Sequence, residues 1–217
     1  MLQLYSYFRS SAAYRVRIAL NLKGLKWESI PVNLLEKEHK EKAYLEVNPQ
    51  GLVPALDVAG VVLNQPLAII EYLEEVHPKL ALLPSDPIAK AQVRAVAYQV
   101  AMDIHPVNNL RVLKHLTEGL GLGDQAKIQW LHHWMTIGFQ ALEETLREYD
   151  SNGHFCLGRG LTLADICLIP QVYNAYRFDC PLDDYPLIRS VYKHCMELPE
   201  FISAMPENQV DSPLLVG

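Results

Sequence analysis

Apolar and polar positions follow one rhythm in the first third of the chain and another in the rest. Leu2 to Tyr7 alternate as a short strand. Ser11 to Lys23 predict a helix with Val16, Ala19, Leu20 and Leu22 on one side, and Gly24 ends it. Trp27 to Val32 read as a second strand. The charged run EKEHKEKAYLE follows as an exposed helix or loop. VPALDVAGVVLNQ then gives two short strands joined at Ala59-Gly60. A helix from about Pro66 to Val76 stops at His77-Pro78. Strands joined by a helical crossover run parallel and a hairpin runs antiparallel. A small mixed sheet with helices on its faces is expected.

LALLPSDPIAK has two prolines and no periodicity, and marks a linker. Beyond it the pattern is helical throughout. Residues from about Ile88 to Thr117 predict one long helix, kinked at Pro106. A second runs from about Asp124 to Tyr149, with Ile128, Leu131, Met135, Phe139, Leu142 and Leu146 at spacings of three and four. The glycine-rich loop NGHFCLGRGL leads to a helix starting near Thr162. The last helices carry Leu187, Ile188, Val191 and Tyr192, then Phe201 and Ile202. The fold class expected is α/β plus all-α: a domain at 1–83, a linker at 84–90 and an all-helical domain at 91–217.

Length and charge narrow what such a protein can do. A chain of 217 residues suits two modest cores. A net charge of -6, from 19 basic and 25 acidic side chains, gives no bulk attraction to nucleic acid or anionic lipid. An anionic ligand would need local cations. No apolar run approaches the roughly 20 residues of a membrane-spanning helix. The N-terminus carries arginines within its apolar run and reads as strand and helix, not as a signal peptide. Cys156, Cys167, Cys180 and Cys195 form no metal-binding pattern, and free thiols of a cytoplasmic protein are expected.

Five segments could carry chemistry. Arg9-Ser10-Ser11 precedes the first helix, where unpaired N–H groups and a serine hydroxyl can hold an anion such as a thiolate. A serine there can equally be only a helix cap. Asn48-Pro49 through Val53-Pro54 reads as a loop entering a strand, or as a turn with a cis bond that exposes the Val53 backbone to an extended peptide. Gln65-Pro66 opens a helix in the ordinary way, or forms a second anion site. His105, Asn109 and Arg111 cluster about Pro106 and serve binding or structure. Thr162 and Asp165 have capping-box spacing and read as structural. Arg177 is either a surface cation favoured by the helix dipole or a contact for an anionic substrate.

Taken together, these positions resemble the zeta class of the glutathione transferase superfamily. The run Ser10-Ser11-Ala12-Ala13-Tyr14-Arg15-Val16-Arg17-Ile18-Ala19-Leu20 is the most specific match. Asn48 through Pro54, Ala68 through Glu75, and Pro170-Gln171-Val172 through Arg177-Phe178 add to it, so the similarity spans essentially the whole chain. The resemblance implies a thioredoxin-like N-terminal domain, an all-helical C-terminal domain and a homodimer. It also implies a glutathione cofactor and a small dicarboxylic keto acid as substrate. The reaction implied is cis–trans isomerisation of a maleyl keto acid, maleylacetoacetate to fumarylacetoacetate. Maleylpyruvate isomerisation, transfer to small haloacids and a non-enzymatic binding module are the alternatives.

Carried over by position, Ser11 with Ser10 meets the glutathione sulfur. Val53, ahead of a cis Pro54, pairs its backbone with the cysteinyl part, and Gln65 with Pro66 holds the γ-glutamyl end. His39, His105, Asn109, Leu110 and Arg111 fall where the family has glutathione contacts. Arg9, Arg111 and Arg177 are the candidates for substrate carboxylates. Two positions depart from the family pattern. Ala12 replaces the usual cysteine, which leaves no protein thiol at the turn. Pro66 replaces the usual serine, which removes one hydroxyl and one N–H.

Overall fold

The computed structural model describes residues 1–158 and 160–214; Arg159 of the glycine-rich loop and the last three residues of the range expected for the helical domain lie outside them. The chain forms two compact units. One is Met1–Ala81 together with the chain from Glu197 on, and the other is Leu82–Met196.

In the first unit, β1 (Leu2–Ser6) lies between β2 (Trp27–Pro31) and β3 (Ala55–Val58), and β4 (Val61–Asn64) closes the order β2-β1-β3-β4. β1 and β2 are parallel, joined by helix α1 (Ser11–Leu22); β3 runs antiparallel to both β1 and β4. This is the mixed sheet that the two periodicities predicted. The β3–β4 turn has positive φ at both Ala59 and Gly60, as a two-residue hairpin with the twist of its strands requires. The run EKEHKEKAYLE becomes a single 3₁₀ turn at Glu38–Lys40 and the short helix α2 (Lys42–Val47), with Tyr44 buried. Helix α3 (Pro66–Val76) buries Ile69, Ile70 and Leu73 and packs on α1. The Lys23 ammonium donates to the Glu74 carboxylate at 2.5 Å and to the backbone oxygens of His77 and Leu80, which ties off the end of α3.

Helix α1 departs from the one-sided pattern read from its sequence. Every residue from Ala12 to Leu20 is buried, Arg15 and Arg17 included. The reason is a second cover: α9 (Pro199–Ala204) packs against α1. The tail from Glu197 therefore belongs with the first unit and does not extend the helical one.

The second unit is built from α4 (Pro87–Tyr98), α5 (Leu110–Lys114), α6 (Asp124–Glu148), α7 (Leu163–Arg177) and α8 (Pro186–Cys195). Leu131, Met135, Phe139, Leu142 and Leu146 of α6 are fully buried, as their spacing predicted. The expectation of one kinked helix from Ile88 to Thr117 is corrected. α4 loosens into a wide turn over Gln99–Ile104, closed by the His105 N–H on the Val100 oxygen at 3.0 Å. A 3₁₀ turn at Pro106–Asn108 follows, and the chain is extended at Asn109 (ψ 148°) before α5 begins. Proline removes a ladder donor and its ring crowds the preceding turn, so the helix breaks instead of bending. Such wide turns occur often at functional sites.

Candidate active site

Strand register brings the first-unit candidates to one end of the sheet. Tyr5 pairs with Ala55 and Ala55 pairs with Asn64. The turn after β1 (Tyr7 to Ser10), the residues before β3 (Val53-Pro54) and the residue after β4 (Gln65) therefore emerge side by side. Arg9 is exposed there, with its guanidinium over the Phe8 ring at 5.0 Å.

The two serines stand at different places at the start of α1. Ser10 is the N-cap of α1: its Oγ accepts from the Ala13 N–H at 3.1 Å. Ser11 is the first helical residue, partly exposed, at the positive end of the helix dipole.

The Val53–Pro54 peptide bond is cis. Among the described residues, neither the N–H nor the C=O of Val53 has a hydrogen-bond partner. Its side chain packs into a small core with Tyr7, Phe8, Val32 and Tyr44. The preceding residue is pinned: the Leu52 oxygen accepts from Tyr44 Oη at 2.6 Å and from Asn48 Nδ2 at 2.7 Å. Burial pushes the Tyr44 phenol well above its usual range, so it stays protonated and remains a donor. His39 sits on the 3₁₀ turn beside this segment. A Cβ at Gly51, whose φ is +57°, would stand 2.7 Å from the His39 backbone oxygen, so only glycine lets the two loops meet.

Gln65 caps α3 with φ +69°, a conformation uncommon outside glycine, and Pro66 occupies the first helical position. The Gln65 amide donates to Gln50 Oε1 at 2.9 Å. Sequence reading missed Gln50. Its only signal was its place inside the Asn48–Pro54 segment, as an exposed amide next to a positive-φ glycine.

The remaining candidates lie in the second unit. His105, partly buried, starts the 3₁₀ turn after the break. Asn109 caps α5, its Oδ1 accepting from the Arg111 N–H at 3.1 Å. Leu110 opens α5 partly buried, and Arg111 is exposed. Arg177 is the last residue of α7, exposed, 4.6 Å above the Phe178 ring.

Thr162 and Asp165 form the capping box of α7. Asp165 is fully buried and also accepts the Cys156 N–H at 2.7 Å. Burial raises its carboxyl above the usual range, against the pull of those N–H donors, and raises the Cys156 thiol too. Among the described residues no group of three His, Cys, Asp or Glu side chains is placed to hold a metal, and no helix is long and apolar enough to cross a membrane.

A serine at a helix N-terminus, a residue with open backbone groups just before β3 and a positive-φ glutamine thus lie at one end of the four-stranded mixed sheet. Residues 9–76 match the glutathione S-transferase N-terminal domain and residues 138–199 match its C-terminal domain. A probable maleylacetoacetate isomerase of Vibrio cholerae is 48% identical over 213 residues, covering 96% of this chain and 97% of that protein. This chain belongs to the zeta class of the glutathione transferases. A solved zeta-class relative, the holo form of a bacterial maleylpyruvate isomerase, superposes with a TM-score of 0.95 at 46% identity, over 97% of this chain and 99% of its own. A maleylacetoacetate isomerase from Methylobacterium extorquens AM1, solved with bound malonate and glutathione, gives 0.93 at 37% identity over 97% and 99%.

Proposed function

We propose that this chain binds glutathione at the open end of its sheet and uses it to isomerise the cis double bond of a maleyl keto acid, converting maleylacetoacetate to fumarylacetoacetate. The observation that carries this reading is the pair of open backbone groups at Val53, at the sheet end where α1 begins. An extended peptide can complete the sheet there through its own N–H and C=O. Gln65 and Gln50 present amides for the charged γ-glutamyl end, and the first-turn N–H groups of α3 after Pro66 add donors. His39, on the turn beside Gly51, is a further contact on this side. His105, Asn109, Leu110 and Arg111 are the contacts proposed from the second unit.

When bound, glutathione supplies a sulfur nucleophile whose reversible addition makes the double bond a single bond, free to rotate. Ser11 donates its hydroxyl toward the sulfur, and the helix N-terminus favours the ionised form. With Ala12 at the usual cysteine position, no protein thiol competes at this turn. Arg9, Arg111 and Arg177 match the substrate carboxylates with forked donors and stabilise the charge that develops on its keto oxygen. A chain of net charge -6 needs such local cations to hold a dianion.

The protein acts as a cytoplasmic homodimer in this proposal. All four cysteines are buried and unbridged, in keeping with a reducing compartment.

An ultraviolet assay of maleylacetoacetate and of maleylpyruvate, with and without glutathione, tests the reading. Conversion that requires glutathione and is faster with maleylacetoacetate is expected. Equal rates without glutathione overturn it, and retention on immobilised glutathione without turnover of either acid marks a binding module instead.

A further inference from the structure

The turn that presents Ser10 and Ser11 is gripped from behind by charged groups that the proposed chemistry does not use. Ser10 N–H closes this turn on the Tyr7 oxygen at 2.9 Å. Its central peptide groups belong to Phe8. The Phe8 N–H donates to Asp211 Oδ2 at 2.9 Å, across 203 residues of sequence. The Phe8 oxygen accepts from Arg17 Nη2 at 3.1 Å. The same guanidinium, 0% exposed, donates through Nη1 to Ser6 Oγ at 3.1 Å and to the Tyr7 oxygen at 3.5 Å, and through Nε to the Ala204 oxygen at 2.9 Å. One buried, permanently charged fork thus joins the end of β1, the turn and the C-terminal tail.

The tail is fastened along its length. Tyr14 Oη donates to the Phe201 oxygen at 3.2 Å, and Asn21 Nδ2 donates to the Glu200 oxygen at 3.1 Å and to Ser203 Oγ at 3.0 Å. Gln209 Nε2 donates back to the oxygens of Ser203 and Met205, and Ser212 is fully buried. These contacts fix where Asp211 stands. The C-terminal family model ends at residue 199, so most of the tail lies beyond it.

We propose that Asp211 is a positioning residue: through the Phe8 N–H, and opposite Arg17 on the Phe8 carbonyl, it sets the turn so that Ser11 meets the glutathione sulfur. A carboxylate near a site for a thiolate is unfavourable by charge alone. Its contribution is therefore geometric, an acceptor that fixes one peptide plane. The inference rests on the reading of Ser11 given above.

Replacing Arg17 would strip donors from several buried oxygens at once and risks the fold, so Asp211 is the position to vary in the full-length chain. Isomerase kinetics and the pH at which bound glutathione ionises, followed by thiolate absorbance, are measured together. Asp211→Ala is expected to lower kcat about tenfold, with a smaller change in substrate KM, and to move thiol ionisation to higher pH. Asp211→Asn keeps the acceptor and drops the charge, and is expected to recover most of that loss.

Loss in Asn equal to that in Ala overturns the proposal, as does a shift of thiol ionisation to lower pH in both, the mark of a field effect. If the Ala protein does not fold, Asp211→Glu replaces it. Glu keeps the charge but displaces the acceptor, so activity in Glu several-fold below Asn supports positioning and equal activity overturns it. Wild-type protein with bound glutathione that ionises no more readily than free glutathione would instead fail the Ser11 reading, before any variant is compared.

Discussion

Gln65 donates its side-chain amide to Gln50 at 2.9 Å, linking the first turn of α3 to the segment that leads into Val53-Pro54. Gln65 stands there with positive φ. Gln50→Ala is expected to raise the glutathione KM several-fold, in line with the roughly 1 kcal/mol of a neutral hydrogen bond, and to leave the maleyl substrate KM nearly unchanged. Initial rates with each substrate varied in turn check the split.

Ser10 and Ser11 should separate stability from chemistry. Ser10→Ala removes the N-cap bond to Ala13 and is expected to cost about 1 kcal/mol of stability, read by thermal or denaturant unfolding. Ser11→Ala is expected to lower turnover at least about tenfold at saturating glutathione while unfolding almost as the wild type does. An unchanged turnover number would remove Ser11 from the mechanism.

Pro66 offers neither hydroxyl nor N–H at the start of α3. Pro66→Ser is expected to tighten glutathione binding, by about 1.5–3 kcal/mol if the new donor meets a carboxylate and about 1 kcal/mol otherwise. Calorimetry reads the difference directly, and no gain means that the γ-glutamyl end is already fully satisfied.

Arg177 ends α7 with its guanidinium exposed beside Phe178. Arg177→Ala is expected to raise the KM for the dicarboxylic substrate well above any change in the glutathione KM. Equal effects on both would argue against direct carboxylate contact.

Asp165 accepts from the Cys156 N–H and closes the capping box with Thr162 in a fully buried position. Asp165→Ala should cost about 3 kcal/mol, combining a lost cap with a buried donor left unpaired. Chemical denaturation measures it, and the glutathione KM of whatever folds should be unchanged.

Local pattern was enough for much of this protein. Period-two and period-3.6 runs specify the strands, α3 and α6, because one buried face dictates where apolar residues fall. Thr162 and Asp165 announce their cap because capping acts over three residues. Long-range packing decided the rest. Arg17 looks like a polar position of α1, yet it is buried because a tail nearly two hundred residues away covers its side of the helix, where its Nε donates to the Ala204 oxygen. The pairing of Gln50 with Gln65 and the hold of Asp211 on Phe8 likewise join segments that no local period relates. Sequence alone determined which residue types stand at the open sheet end; only the tertiary structure decided which serine caps, which amides pair and what fixes the turn, because those depend on partners brought near by packing.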